Sequence, residues 1–389
     1  MRKFVFFLFV VLFSVVSLVA DSDDAKAKDP RQILKKMDSN GDGQISRDEW
    51  KANPGAFGKI DADGDDVVTF EELIQFFGGS SGKESKKPVR VSPTTQTLTA
   101  NENVWRGPIV DVHSQIDQQT DLNSIVPMLD NAGVAKVMLS ARFNQPSSDV
   151  LELAARHPGR IIPAAKTKTK AFTKGRGDYL GMFQNELRQH DFRAIAEIIM
   201  WHAAKKGVGA GKAAMDPDDP RVTMMIEASR EKGIPFIAHV EFAAMGWDKS
   251  GYMEKLEAFV SSNQDVPIGL IHMGQLDSED AARLLPKHSN LFFITSHSNP
   301  VTYNASRLPW TRMIIDNRFA SKWQELVLAY PERFVLAFDN VFHFHWEDKF
   351  LPQVEVWRQT LATVPDDVAH AIAHGNAERL WKLQPVSVP

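Results

Sequence analysis

The sequence predicts an α/β protein, a (β/α)8 TIM barrel over residues 104–389 preceded by a small all-α module over residues 21–78. Eight short apolar runs, at 109–113, 135–139, 161–165, 194–200, 234–240, 268–272, 291–295 and 335–339, alternate with helically spaced stretches such as 149–156, 221–232, 252–261 and 279–285. Such alternation over this length suits one barrel. Histidines gather where the apolar runs end. The first fifth of the chain is acidic and holds two loops with oxygen-bearing residues at alternate positions. An open doubly wound sheet is the alternative for the large part, disfavoured because no glycine-rich phosphate loop follows the first run.

Composition narrows the function classes. A formal net charge of −4 over 389 residues gives no global reason to bind nucleic acid or acidic lipid. The absence of cysteine excludes disulfides, thiolate metal sites and a cysteine nucleophile. At the N-terminus, Arg2 and Lys3 precede an uncharged apolar run over 4–20, which reads as an export signal with cleavage expected after Ala20. An uncleaved anchor is the alternative, and either way the folded part sits outside the cytoplasm as periplasmic, secreted or cell-surface protein.

Within 21–78 the segment 38–49 reads D-S-N-G-D-G-Q-I-S-R-D-E. Calcium takes six to eight oxygens, and this loop supplies them in order from Asp38, Asn40, Asp42, the Gln44 carbonyl, Ser46 and Glu49, with Gly43 at the sharp turn. It resembles an EF-hand at every position. A second loop, 61–72, offers Asp61, Asp63, Asp65, the Val67 carbonyl, Thr69 and Glu72. Asp66 stands where the pattern has glycine, so this site is expected to be weaker. Ile45 and Val68 take the apolar eighth positions, where paired EF-hands form a miniature two-stranded bridge. Fourteen acidic residues against eight basic ones make the module self-repelling without calcium. A structural role, or docking to a partner or cell surface, is expected of it. Residues 79–103, rich in Gly, Ser, Lys, Thr and Pro, read as a linker.

In the large part, seven of the 12 histidines stand at or just beyond run ends: His113, His202, His239, His272, His297, His343 and His345. In a barrel those ends make one face, which carries the active site. Histidines converging from several strands are poorly explained as core filler. His113 and Gln115 share a parity in the first run, so they share a face.

The segments D-V-H-S-Q, I-P-F-I-A-H, I-G-L-I-H-M-G, L-F-F-I-T-S, F-V-L-A-F-D and H-G-N-A-E-R-L-W, in this order, resemble the amidohydrolase superfamily, in particular the group holding aminocarboxymuconate semialdehyde decarboxylase and 2-pyrone-4,6-dicarboxylate lactonase. The resemblance spans residues 104–383. It implies a divalent metal such as Zn2+ held by His113, His239 and Asp339, with Gln115 standing where the family has a second histidine. Glutamine is a poorer zinc ligand than imidazole. Glu197 falls where some members place a metal-bridging acid; a buried structural carboxylate is the alternative. His272 matches the histidine that polarises substrate or helps hold metal.

Two chemistries follow from the resemblance. With a metal, bound water loses a proton to Asp339 and His272 steadies the oxyanion. Without one, as in the lactonases, Asp339 activates water while His113, His239, His272 and Lys166 or Lys168 hold substrate carboxylates. His202, His297, His343, His345 and Lys166 are candidate substrate contacts. The expected activity is hydrolysis of a small carbonyl- or carboxylate-containing molecule, with decarboxylation or a non-catalytic calcium-dependent binding protein as alternatives.

Overall fold

The computed structural model describes residues 33, 36–38, 45–52, 54–61, 67–68, 72–73, 76, 104–142, 144–167, 179–203, 213–306 and 308–386. The predicted export signal, the linker, Lys168 and the ligand positions Asn40, Asp42, Gln44, Asp63 and Asp65 lie outside them. The chain forms two compact units, one within its first 96 residues and one comprising Thr97–Ala204 and Ala210–Pro389.

In the small unit, β1 (Ile45–Ser46) pairs antiparallel with β2 (Val67–Val68), Ile45 opposite Val68. The two apolar eighth positions thus meet as the motif requires. Both are buried, with Phe57 and Ile60 of α1 (Pro54–Ile60) and Leu73 around them. Asp61, Glu49 and Glu72 are buried at the loop ends. Ser46 donates to Glu49 Oε2 from both its amide and its hydroxyl, at 2.9 and 2.7 Å, which links loop positions nine and twelve.

The large unit is built on parallel strands, and each of the eight predicted runs overlaps one, the last only at Val335. β3 (Ile109–Ile116), β4 (Val134–Ala141), β5 (Ile161–Ala165) and β6 (Ala194–Ile195) form one four-stranded sheet in that order. A second sheet runs β14 (Phe334–Val335), β11 (Leu291–Ile294), β10 (Ile268–Leu270), β9 (Phe236–Val240), β7 (Ile198–His202), β8 (Ala213–Ala214), antiparallel only at its β8 edge, while β12 (Ile314–Ile315) and β13 (Arg318–Phe319) form a separate antiparallel pair. β6 and β7 are one predicted strand broken at Ala196 and Glu197, so a single segment serves both sheets. At the other side Val112 donates to the Leu336 carbonyl, Asp339 to that of His113, and Gln115 to that of Asn340.

Helices cross between the strands with the signals their sequence carries. Asp121 caps α2 (Leu122–Ala132), and Asp219 with Pro220 opens α5 (Pro220–Lys232). Gly133 and Gly233 close these helices in the left-handed conformation that glycine adopts without penalty. Between α2 and α5 lie α3 (Ser147–Arg156) and α4 (Tyr179–Gln189). The strands are buried on both faces, as parallel strands under helices are.

Asp111 ties the first strand to the last. Its Oδ1 accepts from the amides of His113 and Phe338, both at 3.1 Å, and its Oδ2 from Ser114 Oγ at 2.6 Å. Burial pushes its carboxyl up to about 7 against those hydrogen bonds. Asp111→Ala strands three buried donors and is expected to lose roughly 3 kcal/mol or more in urea unfolding. Asp111→Asn, which still accepts both amides, is expected to lose much less.

Candidate active site

The strand ends converge on one buried cluster of His113, Gln115, Glu197, His239, Glu241, His272, His297 and Asp339. Three strands end there in an unusual way. His272 after β10, His297 after β11 and Asp339 after β14 have φ of 54°, 59° and 53°. This left-handed region costs a side-chain-bearing residue on the order of 1 kcal/mol or more. After β10 the conformation persists through Met273, Gly274 and Gln275, a short left-handed turn. Strain of this kind persists where surrounding structure imposes it, and functional sites concentrate it.

Asp339 is the hub. Gln115 Nε2 donates to its Oδ1 at 3.0 Å, and His113 Nε2 lies 3.3 Å from the same oxygen. His297 Nε2 and His272 Nε2 stand 3.5 and 3.6 Å from Oδ2. Burial opposes ionisation of this carboxyl; the His113 hydrogen bond, with the pull of His113 and His297, outweighs it and holds the group well below the usual carboxylate range. Burial opposes the charge of His113 too, yet Asp339 and Glu197, each 3.3 Å away, raise its pKa to about 9. Near neutral pH the pair is imidazolium and carboxylate.

His272 differs. Burial and the neighbouring His297 hold it well below an ordinary histidine, so it is neutral. Ser296 Oγ accepts the His272 backbone amide at 3.2 Å and lies 2.8 Å from His272 Nδ1. The ionised Asp339 carboxylate beside Nε2 favours the tautomer that carries its hydrogen there, and Nδ1 then accepts from the Ser296 hydroxyl. The rings of His272 and His297 stack at 4.5 Å, and Trp310 covers both at 5.1 and 4.5 Å.

Gln115 occupies the position where a metal-binding histidine was expected, and its amide is turned the other way. Arg142 Nη1 donates to its Oε1 at 3.2 Å, while Nε2 faces Asp339, His113 and, at 3.5 Å, Glu197. Arg142 can only donate, so turning the amide oxygen inward would set donor against donor. Buried Arg142 and protonated His113 together face the two carboxylates, Glu197 and Asp339. With its amide nitrogen turned inward, Gln115 offers no ligand atom toward His113, Glu197 and Asp339, whose own donor atoms lie close enough to share a cation.

The other expected residues divide. His239 gives Nδ1 to Glu197 Oε2 and faces Glu241 Oε1 with Nε2 at 3.3 Å; His202 Nε2 lies 3.8 Å from the same oxygen. His345, half-buried in a π-helical turn (His345–Lys349), accepts the Val341 amide at 3.3 Å, and desolvation pushes it down to about 4. His343 pairs instead with Asp117 at 3.4 Å and is part-exposed. Lys166 donates to the Gln145 carbonyl at 2.8 Å, and no contact joins it to Asp339. Glu241, Arg142 and Trp310 were not foreseen. Glu241 shares His239's parity and Arg142 follows directly on β4, the same signals that marked the others.

Comparison with known proteins adds the following. The EF hand family model matches residues 31–52, a span that holds the first loop and ends before the second. No curated protein matches. Among solved structures, the chain is similar to an uncharacterized TIM-barrel protein from Bordetella bronchiseptica at 15% identity, covering 71% of this chain and 99% of that one, with a TM-score of 0.47. A putative 2-pyrone-4,6-dicarboxylic acid hydrolase from Pseudomonas putida is similar at 12% identity over 72% and 98%, TM-score 0.47. The 4-oxalomesaconate hydratase of Rhodopseudomonas palustris is similar at 12% identity over 70% and 95%, TM-score 0.48.

Proposed function

We propose that the large unit is a closed (β/α)8 barrel of amidohydrolase type that hydrolyses a small carbonyl compound bearing a carboxylate, with Asp339 as the base. The observation that carries this is the Asp339 carboxylate, buried and held ionised, with imidazole nitrogens of three strand-end histidines within 3.6 Å. Asp339 takes a proton from water as the water oxygen bonds to the substrate carbonyl carbon. The carbonyl π pair moves onto oxygen, where the His272 Nε2–H and the His113 imidazolium donate to the developing oxyanion. Collapse re-forms the carbonyl, breaks the bond to the leaving oxygen or nitrogen, and returns the Asp339 proton to it. Arg142, cationic and stacked over Phe342 at 4.7 Å, supplies a fixed charge for the substrate carboxylate.

The test is a panel of lactones, esters and amides assayed by acid release. Turnover of at least one substrate, lost in Asp339→Asn, supports the reading; turnover unaffected by that change removes it.

The small unit is read as a calcium module outside the cytoplasm, supported by the complete first loop and the apolar run over 4–20. Added calcium is expected to raise the thermal stability of the full chain, and Asp38→Ala to diminish that rise. An unchanged melting curve in the wild type would argue against it.

A further inference from the structure

Beyond the Asp339 cluster the strand ends place a second set of donors that the hydrolytic chemistry does not use. His202 closes β7, His239 stands in β9 and Glu241 follows it. All three are buried, at 6%, 3% and 1% exposure. Glu241 Oε1 lies 3.3 Å from His239 Nε2 and 3.8 Å from His202 Nε2. Ligands about 2.0–2.2 Å from a tetrahedral zinc stand roughly 3.4 Å from one another. The spacing is that of donor atoms able to share one cation.

The supporting contacts give the direction of each donor. Glu197 Oε2 lies against His239 Nδ1, which leaves His239 Nε2 to face Glu241 Oε1. The other Glu241 oxygen, Oε2, accepts the Ala203 amide at 2.7 Å, which aims Oε1 at the imidazoles. A carboxylate behind one imidazole and a backbone donor behind the carboxylate are the outer contacts that metal-binding side chains characteristically have.

We infer that His202 Nε2, His239 Nε2 and Glu241 Oε1 bind a borderline divalent cation such as Zn2+, with a fourth position left for water or substrate. Two imidazoles and one carboxylate are a zinc donor set of the open, three-ligand type. Glu197 is then a positioning residue behind His239 and not a bridging ligand. This cation site goes beyond the hydrolytic reading and does not depend on it, because it is read by metal content and not by turnover.

The experiment is zinc binding to the full chain in excess calcium, which occupies the N-terminal loops, followed by elemental analysis after dialysis. The wild type is expected to retain one zinc, Glu241→Gln to bind it roughly 100-fold more weakly, and Asp339→Asn to keep it. Cobalt replaces zinc as a second readout that needs no variant: the wild type is expected to show the intense visible bands of a tetrahedral ion with nitrogen ligands. No retained zinc and no such bands in the wild type would overturn the inference, and so would Glu241→Gln binding as tightly as wild type. Zinc lost in Glu241→Gln alongside full activity of Asp339→Asn would keep the cation site and remove the proposed catalysis.

Discussion

Asp339→Asn is expected to lower kcat/KM by roughly 100- to 10,000-fold while the fold persists. The amide can still accept from His113 and Gln115, so the packing around it survives. It cannot take a proton from water, and it no longer holds the neighbouring imidazolium. Far-ultraviolet circular dichroism should be unchanged, and the loss should fall on kcat more than on KM, since the group acts on water. A variant that keeps wild-type kcat on a substrate the wild type turns over would remove Asp339 from the chemistry.

Raising the pH through about 9 is expected to remove both activity and stability. His113 is raised to about 9 in the folded chain, above its ordinary value of 6.5. Its contribution is therefore fully present below the unfolded value and is lost as pH rises through the folded one, because the folded state binds the extra proton in that window. The difference corresponds to about 3 kcal/mol for so buried a group. His345 works in the opposite sense: lowered to about 4, it costs stability as pH falls from its ordinary value toward the folded one. Urea unfolding at a series of pH values, with kcat/KM measured alongside, separates these. His113→Gln is expected to flatten the alkaline loss; an unchanged alkaline limb in that variant would assign the loss elsewhere.

Much of the fold was legible because burial on both faces leaves an apolar run wherever a parallel strand lies, and each of the eight runs overlaps a strand, the last at one residue. The interruption at Ala196 and Glu197 was not legible, since nothing in A-I-A-E-I-I-M marks the change of pairing partner from β5 to β9. The pairing of Ile45 with Val68 was readable from loop spacing alone. In the site, strand-end position identified His113, His239, His272, His297 and Asp339, because a parallel strand delivers its last side chains to one face. His343 is turned by its loop to Asp117, and Lys166 reaches the Gln145 carbonyl. The orientation of the Gln115 amide depends on Arg142, 27 residues away in sequence and adjacent in space. Glu241 went unnoticed because the resemblance supplied a ligand set that did not include it, although its parity with His239 was plain. The left-handed conformation at His272, His297 and Asp339 was not read from the sequence, although histidine and aspartate are among the side-chain-bearing residues that adopt it most readily.

The chemistry proposed for the large unit requires that it add water to a carbonyl carbon. The decisive measurement is mass spectrometry of the products formed from lactones, esters, amides and carboxylic acids in water enriched in heavy oxygen. A product acid carrying one heavy oxygen per turnover, absent with Asp339→Asn, is the predicted result. Products formed by loss of carbon dioxide with no label, or no product from any compound by the wild type, would contradict it.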